Sequence, residues 1–281
     1  MNISLKNLLI FLLAIFPILL SAQKPKGQLF IIGGGKRPPE MIREMIDISG
    51  LRGEGYAVIL PMASSEPDTA LFYAHLQFEK EGIAREKLVG QFHAKGEYSE
   101  TAIDSLQNAA LIYITGGDQV RFMEMAGNSP VQMAIQAAYR EGAVIAGTSA
   151  GAAVMSKMMI TGNEFKHPEY PGEFRTIEAE NMELKEGLGL LPKAIVDQHF
   201  VYRMRMNRLI SVALENPRRQ CIGIDESTAI VVKGKKARVV GNGQVIDLIY
   251  FKKKPKIKNG LLGGKSMILN VWLPGDTLRI F

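Results

Sequence analysis

The chain has 281 residues, of which 47% are hydrophobic, and a formal net charge of +6. This apolar share is ample for a folded core and excludes a disordered chain. The single cysteine, Cys221, excludes an internal disulfide framework. Much of the excess positive charge lies in residues 233–238 and 252–258. No nucleic-acid-binding motif accompanies these clusters, and we therefore expect no nucleic-acid partner.

The first 22 residues have the layout of a secretory signal peptide. Lys6 gives a short positive start, an almost unbroken apolar run extends from Leu8 to Leu20, and small residues end at Ala22. The run is short for a bilayer span, which needs about 20 apolar residues, so we expect cleavage after Ala22 rather than a retained anchor. The sequence predicts a secreted or periplasmic protein with no stable membrane anchor and one mature domain over residues 23–281.

Apolar runs and helical patterns alternate after this leader. Continuous apolar runs are typical of parallel strands that are covered on both faces, and the intervening helices supply that cover. We therefore predict an α/β fold with a mostly parallel sheet, whose functional sites form beyond the carboxyl ends of the strands. The predicted strands are residues 28–32, 56–60, 88–92, 109–114 and 143–146, and the predicted helices are 41–48, 68–81 and 131–140.

Two later regions differ from this alternation. Residues 161–187 are polar, contain two prolines and show no clear periodicity, which predicts a functional or mobile loop. After Glu226 the chain consists of short β segments, which we expect to form a β-rich, hairpin-rich extension of the same sheet. These segments are residues 229–232, 237–240, 245–250 and 267–273.

Ser149 is the candidate nucleophile. It follows the strand at 143–146 and opens a helical stretch, with Gly147 and Gly151 two positions away on either side. This is the G-x-S-x-G pattern of a sharp strand-to-helix turn, which holds the serine hydroxyl out of the sheet. The alternative is a small-residue turn needed only for packing, but the preceding strand and the following helix favour the nucleophile.

Backbone amides near this serine predict a site that stabilises negative charge. The Ala150 amide lies at a helix N-terminus, aimed at an oxyanion. We expect it to act together with an amide of Gly116 or Gly117, because these residues end a neighbouring strand. The triple glycine at 33–35 does not fit G-x-G-x-x-G, and we interpret it as a close approach of the backbone near the active site rather than a dinucleotide site.

His199 is the candidate general base. It follows the strand-like residues 194–198, so it comes at the sheet edge where Ser149 should emerge, and a base must lie within hydrogen-bond reach of its nucleophile. Of the other histidines, His75 lies in a predicted helix, while His93 and His167 lie in polar segments. The four histidines show no metal-ligand spacing such as H-E-x-x-H, which argues against a metal hydrolase.

The carboxylate that orients His199 has three candidates. Asp225 and Glu226 follow the strand-like residues 222–224, so they also come at a strand end. Glu164 lies on the polar loop and is the competitor. We favour Glu226; the chain order of serine, histidine and acid is no obstacle, because a triad is defined by its geometry.

Several segments in consistent order now resemble the cyanophycinase and peptidase E family of serine peptidases. The resemblance covers nearly all of the chain after the leader. It implies a three-layer α/β sandwich related to class I glutamine amidotransferases (flavodoxin-like), a serine nucleophile, no metal or organic cofactor, and often a homodimer. The matching segments are residues 31–35, 115–119, 147–153, 187–191, 197–200 and 223–229.

The cyanophycinase branch of the family is indicated by an acidic residue two positions before His199 and by arginines after it. The resemblance implies that Asp197 receives the cationic arginine of the substrate polymer, an aspartate backbone with arginine on each side chain, and that Gln119 adds a polar contact. Guanidinium groups bind carboxylates bidentately. We accordingly expect substrate binding by Arg203, Arg205 and Arg208, with a solvated helix face as the alternative.

The activity implied is release of β-Asp-Arg dipeptides from cyanophycin, or from a related β-linked aspartyl peptide, through an acyl-enzyme. An export signal is unexpected for an enzyme that mobilises a cytoplasmic polymer, and it suggests scavenging of polymer from outside the cell. Two alternatives stay open. One is a peptidase E-like dipeptidase acting on N-terminal aspartate, and the other is a catalytically silent binding protein that keeps the fold.

Overall fold

The computed structural model describes residues 24–92, 98–170, 172–252 and 254–281. The predicted leader and His93 lie outside these ranges. Within them, no helix is both long enough and apolar enough to cross a membrane.

The described chain alternates strands and helices up to residue 153 and is rich in strands afterwards. The helices are α1 (Pro39–Ser49), α2 (Pro67–Glu79), α3 (Glu100–Gln107), α4 (Gln119–Ala126), α5 (Pro130–Glu141), α6 (Ala150–Ala153) and α7 (Met206–Glu215). The first eight strands are β1 (Gln28–Ile32), β2 (Ala57–Leu60), β3 (Leu88–Gly90), β4 (Leu111–Ile114), β5 (Val144–Thr148), β6 (Met158–Glu164), β7 (Met182–Glu186) and β8 (Ala194–Gln198). The others are β9 (Gln220–Ile224), β10 (Thr228–Lys233), β11 (Lys236–Gly241), β12 (Val245–Tyr250), β13 (Lys256–Lys258), β14 (Leu261–Gly263), β15 (Met267–Trp272) and β16 (Thr277–Arg279).

Local sequence signals set the helix ends. α1 begins with Pro39 in its first turn and ends at Gly50, which adopts the left-handed conformation that terminates helices (φ 69°). The Asp118 side chain caps α4 by accepting hydrogen bonds from the backbone N–H groups of Val120 and Arg121. This cap starts α4 directly after the Gly116–Gly117 pair, so it fixes the path of the backbone beside the active site.

The main sheet has eight strands in the order β16-β11-β10-β1-β5-β4-β2-β3. The five strands from β1 to β3 in this order are parallel, and β10, β11 and β16 add antiparallel strands beside β1. Because β1, β5 and β4 are parallel neighbours, their carboxyl ends meet at one edge of the sheet. This edge carries Gly33, Ser149 and Gly116.

Residues of β1 alternate between the two faces of the main sheet. Leu29 and Ile31 belong to the larger apolar core, together with residues of α4 and α5. Phe30 and Ile32 belong to the opposite core, with residues of α1 and α2. This period of two is the pattern of a strand buried on both faces. The prediction of a layered α/β sandwich with a mostly parallel sheet and a β-rich C-terminal part is confirmed.

A second sheet, in the order β15-β12-β9-β8, was not predicted. The expectation that every late strand extends the main sheet is wrong, since β12 and β15 join β8 and β9 here. α7 covers this sheet through Leu209, which packs in one apolar cluster with Ile195 and Leu248. β8 and β9 are parallel neighbours, so the residues that follow them, His199 and Asp225, emerge side by side.

The segment from 161 to 187 is also more regular than predicted. Its two ends form the antiparallel strands β6 and β7, which pair from Met158 with Glu186 to Glu164 with Met182 and contain a register irregularity after Ile160. The irregularity disturbs the alternation of side chains within β6, and the described residues between β6 and β7 form no helix or strand.

Candidate active site

Ser149 sits in a strained turn between β5 and α6. Its backbone has φ 55° and ψ −113°, a region that non-glycine residues rarely adopt. The flanking glycines are required by contact. A Cβ on Gly147 would lie 2.3 Å from the Gly151 carbonyl oxygen, and a Cβ on Gly151 would lie 2.4 Å from that of Ile114. The strand, the turn and the helix therefore have the geometry of a nucleophile elbow.

The structure brings Ser149, His199 and Glu226 into one hydrogen-bonded chain. The Ser149 Oγ lies 2.8 Å from Nε2 of His199. The His199 Nδ1 lies 2.5 Å from Oε1 of Glu226. These are the two contacts that a serine–histidine–acid arrangement needs: one through which the base takes the hydroxyl proton, and one that holds the imidazole in the correct tautomer.

The glycine triplet at 33–35 packs against the His199 and Glu226 members of this hydrogen-bonded chain. The backbone N–H of His199 donates to the Gly33 carbonyl at 2.7 Å. A Cβ on Gly34 would lie 2.3 Å from Cε1 of His199, and a Cβ on Gly35 would lie 2.8 Å from Oε2 of Glu226. Both glycines also have positive φ, at 113° and 69°. The expected close backbone approach is therefore present, and it serves the imidazole and the carboxylate.

The imidazole of His199 is held neutral by its surroundings. Burial lowers its pKa below the ordinary value of 6.5, and the positive charges of Arg203 and Arg205 add to this effect. The hydrogen bond and the charge of Glu226 act in the opposite direction. Burial and the arginines prevail although the carboxylate is adjacent. At neutral pH the imidazole is thus free to accept a proton.

Ala150 and Gly116 both adjoin Ser149, which makes their backbone amides the candidates for holding an oxyanion. The Ala150 N–H begins α6 and so has no acceptor within that helix. Gly116 adjoins the nucleophile, since a Cβ built on it would lie 3.3 Å from Cβ of Ser149 and 3.9 Å from its Oγ. Gly117 has φ 139° and packs against the Ala63 backbone instead. Of the two predicted glycines, Gly116 is the one in contact with Ser149.

A cavity of about 250 Å³ opens in front of the serine. It is small compared with pockets for drug-sized ligands, which span roughly 300–1,000 Å³, so we expect it to hold one residue of a peptide rather than a longer chain. Its lining residues are Gly34, Gly35, Arg37, Ala70, Tyr73, Ala74, Tyr113, Thr115, Gly116, Thr148, Ser149 and His199.

Glu164 does not join the hydrogen-bonded chain. It lies at the end of β6, where its Oε1 accepts a hydrogen bond from the Asn181 side chain at 2.7 Å. It lines a separate cavity with His167, whose ring bonds to Glu178 at 2.9 Å. Of the carboxylates weighed in the sequence, Glu226 is therefore the one at hydrogen-bond distance from the imidazole, whereas the Asp225 side chain accepts from the Tyr202 backbone.

Asp197 and Arg208 are buried against each other, at 1% and 2% side-chain exposure. The Arg208 guanidinium donates to both carboxylate oxygens of Asp197, with Nε 2.6 Å from Oδ2. The structure thus contradicts the expectation that Asp197 receives a substrate arginine, because its carboxylate is enclosed and already paired. Arg208 likewise has no exposed surface to offer a ligand.

The other predicted binding residues take different positions. Arg205 is buried and donates to the backbone and side-chain oxygens of Gln198, and burial lowers its pKa to about 10, which leaves it charged at neutral pH. Arg203 is exposed. Gln119 is buried, and its amide nitrogen donates to the backbone of Ile160 and Thr161. Of these three residues, Arg203 is the one whose charged side chain is exposed to solvent.

Sequence reasoning missed two residues at the site. Gln198 accepts hydrogen bonds from Arg205, and the signal for it is a second polar residue, after Asp197, at the carboxyl end of β8. Arg37 lines the cavity, and the signal for it is a pair of basic residues, Lys36 and Arg37, after the glycine triplet that follows β1. The single cysteine, Cys221, is fully buried, and burial raises the pKa of its thiol to about 12, in line with a packing role.

A strained serine, a neutral imidazole and a carboxylate at the edge of an α/β sheet define a serine-type hydrolase. The family model of Peptidase family S51 matches residues 29–240. The chain is 34% identical to "Cyanophycinase" of Trichormus variabilis over 228 residues, covering 79% of this chain and 74% of the relative. It is 36% identical to "Cyanophycinase" of Geminocystis herdmanii over 197 residues, covering 66% of each.

Solved structures agree on the fold. A peptidase from an acI-B1 Actinobacterium superposes with a TM-score of 0.65 at 21% identity, covering 92% of this chain and 98% of that one. A putative peptidase E protein from Listeria monocytogenes gives a TM-score of 0.51 at 16% identity, covering 76% and 98%. The chain belongs to Peptidase family S51, the cyanophycinase and peptidase E family, and is a serine-type peptidase. The predicted family and enzyme class are confirmed.

Proposed function

We propose that this protein hydrolyses cyanophycin, or a closely related β-linked aspartyl peptide, to β-Asp-Arg dipeptides. The observation that carries the proposal is the contact of 2.8 Å between the Ser149 hydroxyl and Nε2 of His199, in a chain 34% identical to a cyanophycinase over 79% of its length. The contact supports the proposed chemistry, and the identity to a cyanophycinase supports the proposed substrate class.

The proposed reaction begins with proton transfer. His199 takes the Ser149 proton through Nε2 as the serine Oγ attacks an aspartyl backbone carbonyl, and Glu226 stabilises the imidazolium that forms. The N–H groups of Ala150 and Gly116 hold the oxyanion. His199 then donates its proton to the leaving amine, so the peptide C–N bond breaks and an ester with Ser149 remains.

Water completes the cycle. His199, neutral again, takes a proton from water as the water oxygen attacks the ester, and the proton returns to Ser149 as the acyl group leaves. The base must be unprotonated at the start of both halves, which suits the lowered pKa of His199. The small cavity accommodates one substrate residue, while the rest of a polymer lies outside across the open surface that carries Arg203.

The test is the release of soluble dipeptide from purified, insoluble cyanophycin, followed by mass spectrometry. We expect β-Asp-Arg from the wild-type protein and a loss of at least roughly 10³-fold with Ser149→Ala, because the nucleophile is removed. Aspartyl dipeptides assayed in parallel separate a peptidase E-like specificity. Equal release by the two proteins would disprove the proposal, and turnover of the dipeptides alone would disprove the substrate.

We also propose that residues 1–22 are an export leader cleaved after Ala22, and that the mature enzyme is a homodimer acting outside the cytoplasm. The layout of the leader supports the first proposal and the family resemblance supports the second. The intact mass of the exported protein and light scattering of the purified enzyme test them. A mass that retains Met1, or a monomer at all concentrations, would contradict them respectively.

A further inference from the structure

Arg37 is a cation at the catalytic cavity that the proposed chemistry does not use. It follows the glycine triplet after β1, is half-buried, and lines the same cavity as Ser149 and His199. Among the described residues around this cavity, it is the one with a permanent positive charge. A permanent charge in a site of this size acts directly on the group that enters it.

Neutral acceptors hold the Arg37 guanidinium in place. Its Nε donates to Oε1 of Gln77, on α2, at 2.6 Å, and its Nη1 donates to the Gly35 carbonyl at 3.2 Å. Within the described part of the chain, no carboxylate forms an ion pair with it. The two bonds use only part of the five-donor fork, so the side chain is fixed in position and still has N–H groups and its full charge available.

This arrangement differs from that of the arginines beyond His199. Arg208 is neutralised by Asp197, and Arg205 is enclosed with Gln198 as its partner. An arginine that is held rigidly but not neutralised is suited to bind an anion, and a planar fork matches a carboxylate. Thr148 also lines the cavity, and its buried hydroxyl has no hydrogen-bond partner in the described structure.

We propose that Arg37 is a specificity-determining residue that binds a carboxylate of the substrate residue occupying the cavity. This rests on the proposed function for the identity of the substrate. In a β-Asp-Arg unit the aspartate side chain is consumed by the isopeptide bond, so the carboxylate available is the α-carboxylate of the attached arginine. In a peptide with N-terminal aspartate, the same chemistry would come from the aspartate side chain.

The experiment measures binding in the Ser149→Ala background, where no turnover occurs. The first pair of ligands is a β-Asp-Arg trimer and the same trimer with each arginine as its carboxamide. The second pair is the dipeptides Asp-Leu and Asn-Leu. Within each pair the two ligands differ only in a carboxylate and its neutral isostere. Calorimetric Kd values are compared for Arg37→Met, Arg37→Lys and Arg43→Met, the last being an arginine on the exposed face of α1 that pairs with Glu40.

We expect the trimer acid to bind roughly 10- to 100-fold more tightly than its amide, as for a charge-assisted hydrogen bond. Arg37→Met should bring this ratio close to one, Arg37→Lys should retain part of it, and Arg43→Met should leave it unchanged. If Arg37→Met instead brings the ratio of the Asp-Leu and Asn-Leu affinities close to one, the result would show that Arg37 binds the aspartate side chain. Thermal unfolding of each variant verifies that it is folded.

An acid-to-amide ratio that Arg37→Met leaves unchanged in both pairs would overturn the assignment, as would the absence of binding by both trimers and both dipeptides. These outcomes are separate from failure of the proposed function. If the wild-type protein releases no dipeptide from cyanophycin, the proposed reaction fails whatever the ratio. If release continues while the ratio is unaffected by Arg37→Met, only the role of Arg37 fails.

Discussion

Replacing Asp197 with Asn tests whether this carboxylate serves the fold or the substrate. The change keeps the shape of the side chain but removes the charge that Arg208 faces in the interior, where both side chains are almost fully buried. Breaking one partner of a buried ion pair typically destabilises a protein by about 3–5 kcal/mol, because the other charge is left uncompensated. For a chain of this size 1 kcal/mol shifts Tm by about 2–4 °C, so we expect Asp197→Asn to lower Tm by about 6–20 °C.

The assay is thermal unfolding followed by circular dichroism, with substrate affinity measured below the transition. Glu173→Gln is the matched control, since Glu173 pairs with Arg175 on the surface at 61% and 57% side-chain exposure, and such pairs contribute about 0–1 kcal/mol. A variant of Asp197 that unfolds at the wild-type Tm but no longer binds substrate would refute this reasoning and restore the carboxylate to the substrate site.

Two further predictions concern the imidazole. Burial lowers the pKa of His199 below 6.5, Glu226 raises it and Arg203 lowers it, so we expect the acid limb of kcat/KM to lie below pH 6.5 in the wild type. This limb should move to lower pH with Glu226→Gln and to higher pH with Arg203→Ala. A pH–rate profile whose acid limb stays in place in both variants would contradict this. Gly34→Ala should reduce kcat by about 100-fold, because the new Cβ displaces His199. Gly82 shares the positive φ, but a Cβ added to it would meet no atom within 4 Å, so Gly82→Ala should leave kcat unchanged in the same assay. Equal losses in the two variants would point to backbone strain alone.

The nucleophile and its base were predictable because their signals are local. The two glycines around Ser149 are required by contacts with backbone four residues away or on the adjacent strand, so the sequence pattern reflects the geometry of the turn. His199 and Glu226 follow β8 and β9, which are parallel neighbours, and the carboxyl ends of parallel strands in one sheet meet. Strand assignments and chain direction therefore sufficed to place the histidine near the acid, whereas the contact with Ser149 also depends on how the second sheet packs beside β5.

The second sheet was not predictable from the same signals. An apolar strand has the same pattern whichever sheet it joins, so nothing local shows that β12 pairs with β9 rather than with β10. The pairing of Asp197 with Arg208 was not predicted, for a related reason. Asp197 lies in β8 and Arg208 in α7, and they come into contact because α7 packs on the second sheet. From the sequence alone, both charges could equally bind substrate.

The roles of the glycine triplet were anticipated only in outline. We expected a close approach of the backbone here. The groups that it approaches are the His199 imidazole at Gly34 and the Glu226 carboxylate at Gly35, and these follow β8 and β9, which belong to the other sheet. Arg37 was missed altogether, because its anchor Gln77 lies 40 residues away on a different helix and neither residue shows a motif.

The most direct test of the account is labelling by a fluorophosphonate probe, which reacts with an activated serine. Peptide mass spectrometry should find the probe on Ser149 of the wild-type protein, and His199→Ala should slow that labelling by at least roughly 10³-fold, because the hydroxyl then loses the group that accepts its proton. Labelling that proceeds equally fast without the imidazole, or that occurs on a different residue, would contradict the claim that these two side chains act together.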